Sequence, residues 1–182
     1  MTNIKTFQTA GNLAETLDYS MGRSTLGHVL VASSDRGVVS ILIGDEPQML
    51  VDELKENFPD AALRAVDGDN LIDMVVGLVE DPAAKVDLPL DIRGTPFQQK
   101  VWAALRALPA GTTTTYADLA VQVGAPKAIR AVGGACAANK LALVIPCHRV
   151  LRADGSLAGY RWGMQRKQAL IERESAPMRK SA

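Results

Sequence analysis

The sequence predicts two domains of different fold class, an α/β domain over residues 1–92 and a mostly helical domain over residues 93–182. In the first part, short β-rich apolar runs alternate with helical patterns, whereas capped helical segments dominate the second part. The net charge also changes sign at this boundary, from −10 over residues 1–92 to +10 over residues 93–182. The formal neutrality of the chain is therefore a cancellation between its two halves.

The first domain begins with a predicted β-hairpin. Two β-rich runs, 25–32 and 37–43, are joined by a turn-forming Ser-Ser-Asp-Arg segment. A helix over 47–58 follows, with Pro47 in its first turn, and its apolar face is expected to comprise Met49, Leu50, Leu54 and Phe58. The remaining elements are a strand, a helix and a final strand or extended linker, over 61–66, 70–79 and 88–92. We identify no catalytic constellation in this half.

The second domain begins with a strongly signalled helix over 96–108. Thr95 is a good N-cap, Pro96 suits the first helical position, and Gln98 completes a capping box. The apolar face of this helix is expected to comprise Val101, Trp102, Leu105 and Leu108. Pro109 and Gly111 then end the helical pattern.

Two further helices have the pattern of a helix-turn-helix. Thr115 caps a helix over 116–123, Gly124 ends it, and Pro126 begins a helix that runs to about residue 139. In such a motif the second helix usually enters a DNA groove. Lys127 and Arg130 are expected to share one face of it, while the rest of the helix is rich in Ala and Gly. Small residues let the helix approach DNA closely and recognise its shape, with little readout of individual bases. A tightly packed pair of core helices is the alternative, because it would use small residues equally well.

The segment Pro146-Cys147-His148-Arg149 places a thiol beside a base and a cation. An ordinary thiol has a pKa of about 8.5, and a neighbouring base or cation raises its thiolate fraction. The alternative is an inert buried cysteine, since free cysteine often acts as a small apolar side chain. The only other cysteine is Cys136, so the chain has neither a disulfide framework nor zinc-ligand spacing.

Composition and charge indicate the cellular compartment of the protein and the kind of partner that it binds. The N-terminal segment lacks the pattern of a signal peptide, and no stretch has the length of a membrane span. We therefore expect a cytoplasmic protein with no membrane partner, and the polar tail over 175–182 is expected to be disordered. The basic second half favours a polyanionic partner, most often nucleic acid. Charged faces that differ by chance are the alternative.

Five segments in the second half carry a family resemblance. TPFQQKVWAAL, TTTTYADLA, PKAIRAVGGACAAN, IPCHRV and GSLAGYRWGMQRK, in this order, resemble the O6-alkylguanine-DNA alkyltransferases, also called methylated-DNA-protein-cysteine methyltransferases. The likeness is dense over 94–174. A weaker stretch from Leu26 resembles the N-terminal domain of the family, especially in its Ada-like bacterial members. The resemblance implies a ribonuclease-H-like α/β domain followed by a winged helix-turn-helix domain.

The chemistry implied by the resemblance is direct reversal of DNA damage. The sulfur of Cys147 would attack the alkyl carbon on guanine O6, and guanine would leave. A thiolate suits attack on a saturated carbon, and the resulting thioether is not a leaving group, so each molecule acts once. His148 would be the base, acting through a water because neighbouring side chains on extended backbone point apart. Glu174 would orient His148, and Tyr116 would move the DNA phosphate and donate a proton towards the guanine ring.

The resemblance also assigns residues to DNA and to the base pocket. Arg130 would occupy the stack after the damaged nucleotide is flipped out, Lys127 would also face DNA, and Asn139 would support the active-site turn. The expected pocket residues are Val150, Gly159, Tyr160 and Arg161. Some relatives have serine at position 161 and proline at position 142, where this chain has Arg161 and Ala142. These two positions leave the shape of the pocket open.

The expected partner is double-stranded DNA containing O6-alkylguanine, bound by a monomer with no cofactor and no metal. Whether O4-alkylthymine is also a substrate stays open at the sequence level. Two other functions share these features. A non-catalytic binder of alkylated DNA would keep the winged helix-turn-helix, but such relatives replace the nucleophile, and Cys147 argues against it. A thiol hydrolase using Cys147, His148 and Glu174 would instead turn over many substrates.

Overall fold

A computed structural model describes residues 14–175 of the chain. The expectations about a signal peptide and about residues 176–182 of the tail lie outside the described residues. The helices and strands, in chain order, are β1 (Thr16–Ser24), β2 (Gly27–Ser34), β3 (Gly37–Gly44), α1 (Pro47–Asn57), β4 (Ala62–Ala65), α2 (Asn70–Glu80), α3 (Pro96–Arg106), β5 (Thr114–Thr115), α4 (Tyr116–Gln122), α5 (Ile129–Ala137), β6 (Val150–Leu151) and α6 (Met164–Ser175). A 3-10 turn over Cys147–Arg149 lies between α5 and β6.

The first half contains a four-stranded sheet in the order β3-β2-β1-β4. Strands β1, β2 and β3 are antiparallel, and β4 runs parallel to β1. The predicted hairpin is confirmed as β2 and β3. Strand β1 was not predicted, because its two buried positions are Leu17 and Ser20. A buried serine three residues after a buried leucine breaks the two-residue alternation that marks a half-buried strand.

Both helices of the first half form where their patterns predict. Helix α1 begins at Pro47 and buries Leu50 and Leu54. Met49, however, is 69% exposed, so its assignment to the apolar face is wrong. Helix α2 begins after Asp69, whose side chain accepts a hydrogen bond from the backbone N–H of Leu71. These helices cover the sheet, and the expected last element over 88–92 is an extended segment that is joined to β3 by a parallel bridge between Leu90 and Val38.

The capping box of α3 is confirmed. The Thr95 hydroxyl accepts from the Gln98 N–H at 3.2 Å, and the Gln98 side chain accepts from the Thr95 N–H at 2.9 Å. Helix α3 ends at Arg106, two residues before the predicted end. Its buried residues include Trp102, whose indole Nε1 donates to the backbone oxygen of Ala135 in α5 at 2.8 Å. This bond fixes α5 against α3.

The helix-turn-helix forms, but its second helix begins later than predicted. Helix α4 ends at Gln122, and Gly124, two residues later, has a φ of 73° that suits a residue without a side chain. Pro126 then lies in a turn closed by a hydrogen bond from Ala128 N to Ala125 O, at the position where proline is favoured. Helix α5 therefore begins at Ile129, and Lys127 lies in the connection instead of sharing a helical face with Arg130. The connection between the two helices is six residues long, over 123–128.

The two halves are joined by backbone hydrogen bonds and by ion pairs. Ile41 of β3 donates its N–H to the Lys140 oxygen at 2.8 Å, and its oxygen accepts from the Ala142 N–H at 3.1 Å. Four arginines of the second half also pair with carboxylates of the first half, in the pairs Arg93–Glu15, Arg161–Glu53, Arg166–Asp45 and Arg173–Glu80. Part of the charge difference between the halves is therefore neutralised where they meet.

Candidate active site

Asn139 organises the segment that leads to Cys147. Its side chain is fully buried, and its Oδ1 accepts from the Leu141 N–H at 2.8 Å. Its Nδ2 donates to the Ile145 oxygen at 2.9 Å and contacts the Cys147 Sγ at 3.2 Å. One amide therefore satisfies two backbone groups of the segment and orients the sulfur. The role expected for Asn139, support of the active-site turn, is compatible with these contacts.

Two tight turns shape the backbone before the thiol. Leu143 has a φ of 70°, an uncommon value for a bulky side chain, and the Val144 N–H donates to the Ala142 oxygen across it. Pro146 has φ −80° and ψ 62°, and the Cys147 N–H donates to the Ile145 oxygen at 2.8 Å. Cys147 and His148 then lie in a 3-10 turn. The expectation that they lie on extended backbone is therefore wrong.

Glu174 is the centre of a buried cluster of polar groups. Its side chain is 2% exposed, and its Oε1 lies 2.7 Å from the Nε2 of His148. Arg149 binds the same carboxylate through Nε at 2.9 Å and through Nη2 at 2.9 Å, and the N–H of Gly111 donates to Oε2 at 3.0 Å. A φ of 76° at Gly111 allows this approach. The structure thus brings together His148 and Glu174, which lie 26 residues apart in sequence.

The contacts in this cluster set the protonation states of Glu174 and His148. Burial opposes ionisation of Glu174, but hydrogen bonds from His148 and Arg149 outweigh it and lower the pKa of Glu174 to about 2. Burial lowers the pKa of His148 as well, so the ring is neutral near pH 7. An ionised carboxylate only accepts hydrogen bonds, and therefore His148 donates through Nε2. Its Nδ1 is then the acceptor, and this buried atom has no hydrogen-bond partner within residues 14–175.

Cys147 is a buried thiol whose surroundings disfavour the thiolate. Its residue surface is 5% exposed, and burial raises its pKa, although the Asn139 amide and the Lys167 cation oppose this. Arg149 was a candidate cation for activating the thiol, but its guanidinium binds Glu174 and the backbone oxygen of Leu108. The expected activation by Arg149 is therefore not observed, and deprotonation of Cys147 needs a base during the reaction.

Cys147 lines a cavity of about 380 Å³ beside α4, α5 and the segment before α6. Its lining residues are Tyr116, Gly133, Cys136, Ala137, Cys147, Gly159, Tyr160 and Arg161. Most of them carry small or apolar side chains, which suits a flat base with an apolar substituent. Burial raises the pKa of Tyr116, so its phenol keeps its proton at neutral pH.

The structure places four other predicted residues outside this lining. Val150 is fully buried in β6, and Ala142 is fully buried where it binds β3. Neither residue is among those that line the cavity, and the pocket role expected for Val150 stays a prediction. Lys127 is exposed in the connection before α5 and Arg130 is exposed near the start of α5, and neither forms an ion pair with any residue in the range 14–175. Both are accessible to a polyanion.

Two residues near the thiol were missed by sequence reasoning. Lys167 in α6 is fully buried, donates from Nζ to the Val150 oxygen at 2.5 Å, and favours the Cys147 thiolate by its charge. Its spacing from Glu174 is seven residues, two helical turns, so a helical-wheel argument could have found it. Cys136 lines the same cavity as Cys147, and burial raises its pKa to about 12. No sequence signal distinguishes this cysteine from an ordinary core residue.

The described residues contain neither a candidate metal site nor a candidate membrane-spanning helix. Over the described range 14–175, no group of three or more His, Cys, Asp or Glu side chains is arranged to hold a metal ion. In the same part of the chain, no helix combines the length and the apolar character needed to cross a bilayer.

The chain is similar to known proteins over most of its length. The family model described as "6-O-methylguanine DNA methyltransferase, DNA binding domain" matches residues 96–176. The chain is 48% identical over 174 residues to the bifunctional transcriptional activator/DNA repair enzyme Ada of Escherichia coli, covering 94% of this chain and 49% of Ada. It is also 33% identical to the methylated-DNA–protein-cysteine methyltransferase of Debaryomyces hansenii, covering 85% of this chain and 88% of that protein.

Solved structures have the same fold. The crystal structure of Mycobacterium tuberculosis OGT in complex with DNA superposes with a TM-score of 0.71 at 33% identity, covering 87% of this chain and 93% of that chain. The α/β half followed by a helical DNA-binding half is thus shared with that protein. The chain spans about half the length of the first curated relatives it matches.

Proposed function

The chain belongs to the 6-O-methylguanine DNA methyltransferase family, and from this premise we propose that it moves the alkyl group of O6-alkylguanine in DNA onto Cys147. The observation that carries the proposal is the position of the buried thiol, which lines a cavity of about 380 Å³ next to the His148–Glu174 pair. Such a thiol can meet a flipped-out base but not a base inside a duplex. The proposed partner is therefore double-stranded DNA with a damaged, extruded guanine.

The proposed reaction is a single displacement. The sulfur–carbon bond forms as the thiol proton leaves through a bridging water to Nδ1 of His148, the free acceptor of the ring. The bond between the alkyl carbon and O6 breaks, and its electron pair goes to guanine. Tyr116 donates a proton to the leaving base and recovers one from solvent. Glu174 holds the histidine in the required tautomer, and no external cofactor is needed to balance the step.

The product explains why each molecule would act once. A thioether at Cys147 is not a leaving group under these conditions, and the residues around it offer no second nucleophile with an ordinary pKa, since burial raises the pKa of Cys136 to about 12. We propose that the protein acts as a monomer and that its free thiols match a reducing cytoplasm. The second statement rests on the two free cysteines, Cys136 and Cys147.

One experiment tests the proposed transfer. The protein is mixed with an excess of a duplex oligonucleotide containing one O6-methylguanine, and intact and peptide masses are measured together with the remaining lesion. We expect one methyl group on the peptide containing Cys147 and repair that stops at one lesion per protein molecule. An identical duplex with unmodified guanine is the control. Binding without a mass increase would favour the non-catalytic binder, and continued turnover would favour the hydrolase.

A second prediction concerns Arg130, which is exposed at the start of α5. If its guanidinium replaces the extruded base in the stack, Arg130→Ala should slow repair in duplex DNA about tenfold, because base stacking is worth about 1 to 3 kcal/mol. Reaction with free O6-methylguanine should change little, since no base has to be extruded. Lys127→Ala is the matched control for loss of a nearby positive charge. Equal losses of rate on duplex and free base would contradict the assigned role.

A further inference from the structure

Arg161 is the only charged residue among those that line the Cys147 cavity. Its guanidinium does not contact the thiol and instead bonds to three groups at the edge of the cavity. Its Nε binds Glu53 Oε1 at 2.8 Å, its Nη2 binds Asn57 Oδ1 at 3.1 Å, and its Nη1 binds the Ala137 oxygen at 3.3 Å. The side chain is 26% exposed, so the contacts lie at the surface end of the cavity.

These three contacts join distant parts of the chain. Glu53 and Asn57 lie one turn apart on α1 in the first half, whereas Ala137 is the last residue of α5. Ala137 and Arg161 both line the cavity, so the bond between them spans part of its edge. The next two lining residues, Gly159 and Tyr160, immediately precede Arg161 in sequence. Moving Arg161 outward would therefore move the wall that they form.

The part of α1 that binds Arg161 is itself held by other contacts. Lys140 donates from Nζ to the Asn57 oxygen at 3.3 Å, and its ammonium lies 4.9 Å from the centre of the Phe58 ring. The C-terminal end of α1 is thus held by two cations from the second half, Lys140 and Arg161. Their positive charge also interacts favourably with the negative end of the helix dipole. Widening the cavity at Arg161 therefore requires its contacts to break, because α1 is also held by Lys140 and by its buried Leu50 and Leu54.

We propose that the contacts of Arg161 with Glu53, Asn57 and Ala137 form a latch that limits the width of the Cys147 cavity and so favours small alkyl groups. The inference rests on the proposed function. In the transfer, the sulfur–carbon bond forms and the carbon–O6 bond breaks, and a bulky substituent must fit between Cys147 and the cavity wall while this happens. A methyl group fits the latched cavity. A benzyl group needs the wall next to Arg161 to move.

The test compares transfer from O6-benzylguanine and O6-methylguanine, both as free bases, to Cys147. We expect Arg161→Ser to raise the ratio of benzyl to methyl rates at least about tenfold. Glu53→Gln removes the ion pair without changing the cavity lining, and it should raise the ratio in the same direction by a smaller factor. Glu56→Gln, an exposed carboxylate on the same helix, is the matched control and should leave the ratio unchanged.

Unchanged ratios in both Arg161→Ser and Glu53→Gln would overturn the latch. A higher ratio in Arg161→Ser alone would also overturn it, because only the volume of the side chain would then matter. A readout without guanine separates this inference from the proposed function: labelling of Cys147 by iodoacetamide and by a benzyl maleimide. The latch predicts a selective gain for the bulky reagent in both variants, even if no guanine substrate reacts with any form of the protein.

Discussion

Replacing Cys147 by serine is expected to abolish alkyl transfer to the protein. A serine hydroxyl keeps the size of the side chain and can accept the hydrogen bond from Asn139, which lies 3.2 Å from the sulfur. It is, however, a much weaker nucleophile towards saturated carbon, because an alkoxide is harder to form and to desolvate than a thiolate. We expect the rate of methyl transfer to fall by at least on the order of a thousandfold, as for other removed nucleophiles.

The measurement is the mass of the protein after incubation with duplex DNA containing O6-methylguanine. Cys136→Ser is the control, since this cysteine lines the same cavity but its pKa is raised to about 12 by burial. That variant should still end with one methyl group on Cys147. Binding of Cys147→Ser to the damaged duplex should persist, because the DNA-facing residues are unchanged. A methyl group found on any other residue of the Cys147→Ser protein would contradict the assigned nucleophile.

Replacing Glu174 by alanine is expected to cause the largest loss of stability of any single change in the site. The substitution leaves the buried guanidinium of Arg149 without its carboxylate and removes the acceptor of the Gly111 N–H. Breaking one partner of a buried ion pair costs about 3 to 5 kcal/mol. For a domain of this size we expect the melting temperature to fall by about 10 °C. Glu172→Ala, an exposed glutamate in the same helix, should change it little.

The contribution of ionised Glu174 to stability should depend on pH in a defined direction. The folded pKa of Glu174 is lowered from 4.5 to about 2, so its contribution is fully present above about pH 4.5 and is lost as the pH falls towards 2. A shift of this size corresponds to about 3 kcal/mol. The difference in unfolding free energy between the wild type and Glu174→Gln should therefore shrink over this range. A difference that stays constant from pH 6 to pH 2.5 would contradict an ionised, buried Glu174.

Glu174→Gln also tests the orientation of His148 without removing the side chain. A glutamine amide can present its nitrogen to Nε2, which would force the opposite tautomer and occupy Nδ1 with a proton. We expect methyl transfer by the folded variant to slow by about 10 to 100-fold, the range seen for lost partners of functional histidines. Equal transfer rates for the variant and the wild type, at matched folded fractions, would show that the carboxylate is purely structural.

Local signals predicted several elements correctly because the interactions behind them are local. The capping box of α3 involves Thr95 and Gln98, three residues apart, and the hairpin of β2 and β3 closes over two residues. Local signals failed where burial within the sheet or a competing local turn decided the outcome. Strand β1 buries a serine against the sheet, and Pro126 enters a turn instead of a helix.

The site also divides into features that the sequence predicted and features that depend on the tertiary structure. The sequence by itself marked Pro146-Cys147-His148-Arg149 as a place for thiol chemistry, and the resemblance supplied Glu174 as its third member. Only the tertiary structure decided that Arg149 binds Glu174 instead of activating the thiol, that Lys167 is buried beside Val150, and that Arg161 reaches α1.

The physical reason is the range of the interactions. Capping, turn formation and hydrophobic periodicity act between residues a few positions apart, so the sequence by itself determined the positions of α1 to α4, the hairpin and the reactive tetrapeptide. The pKa of Cys147, the tautomer of His148 and the width of the cavity depend on burial and on charges that meet from distant parts of the chain. Those properties were decided only by the packing of α1, α5 and α6 around the thiol.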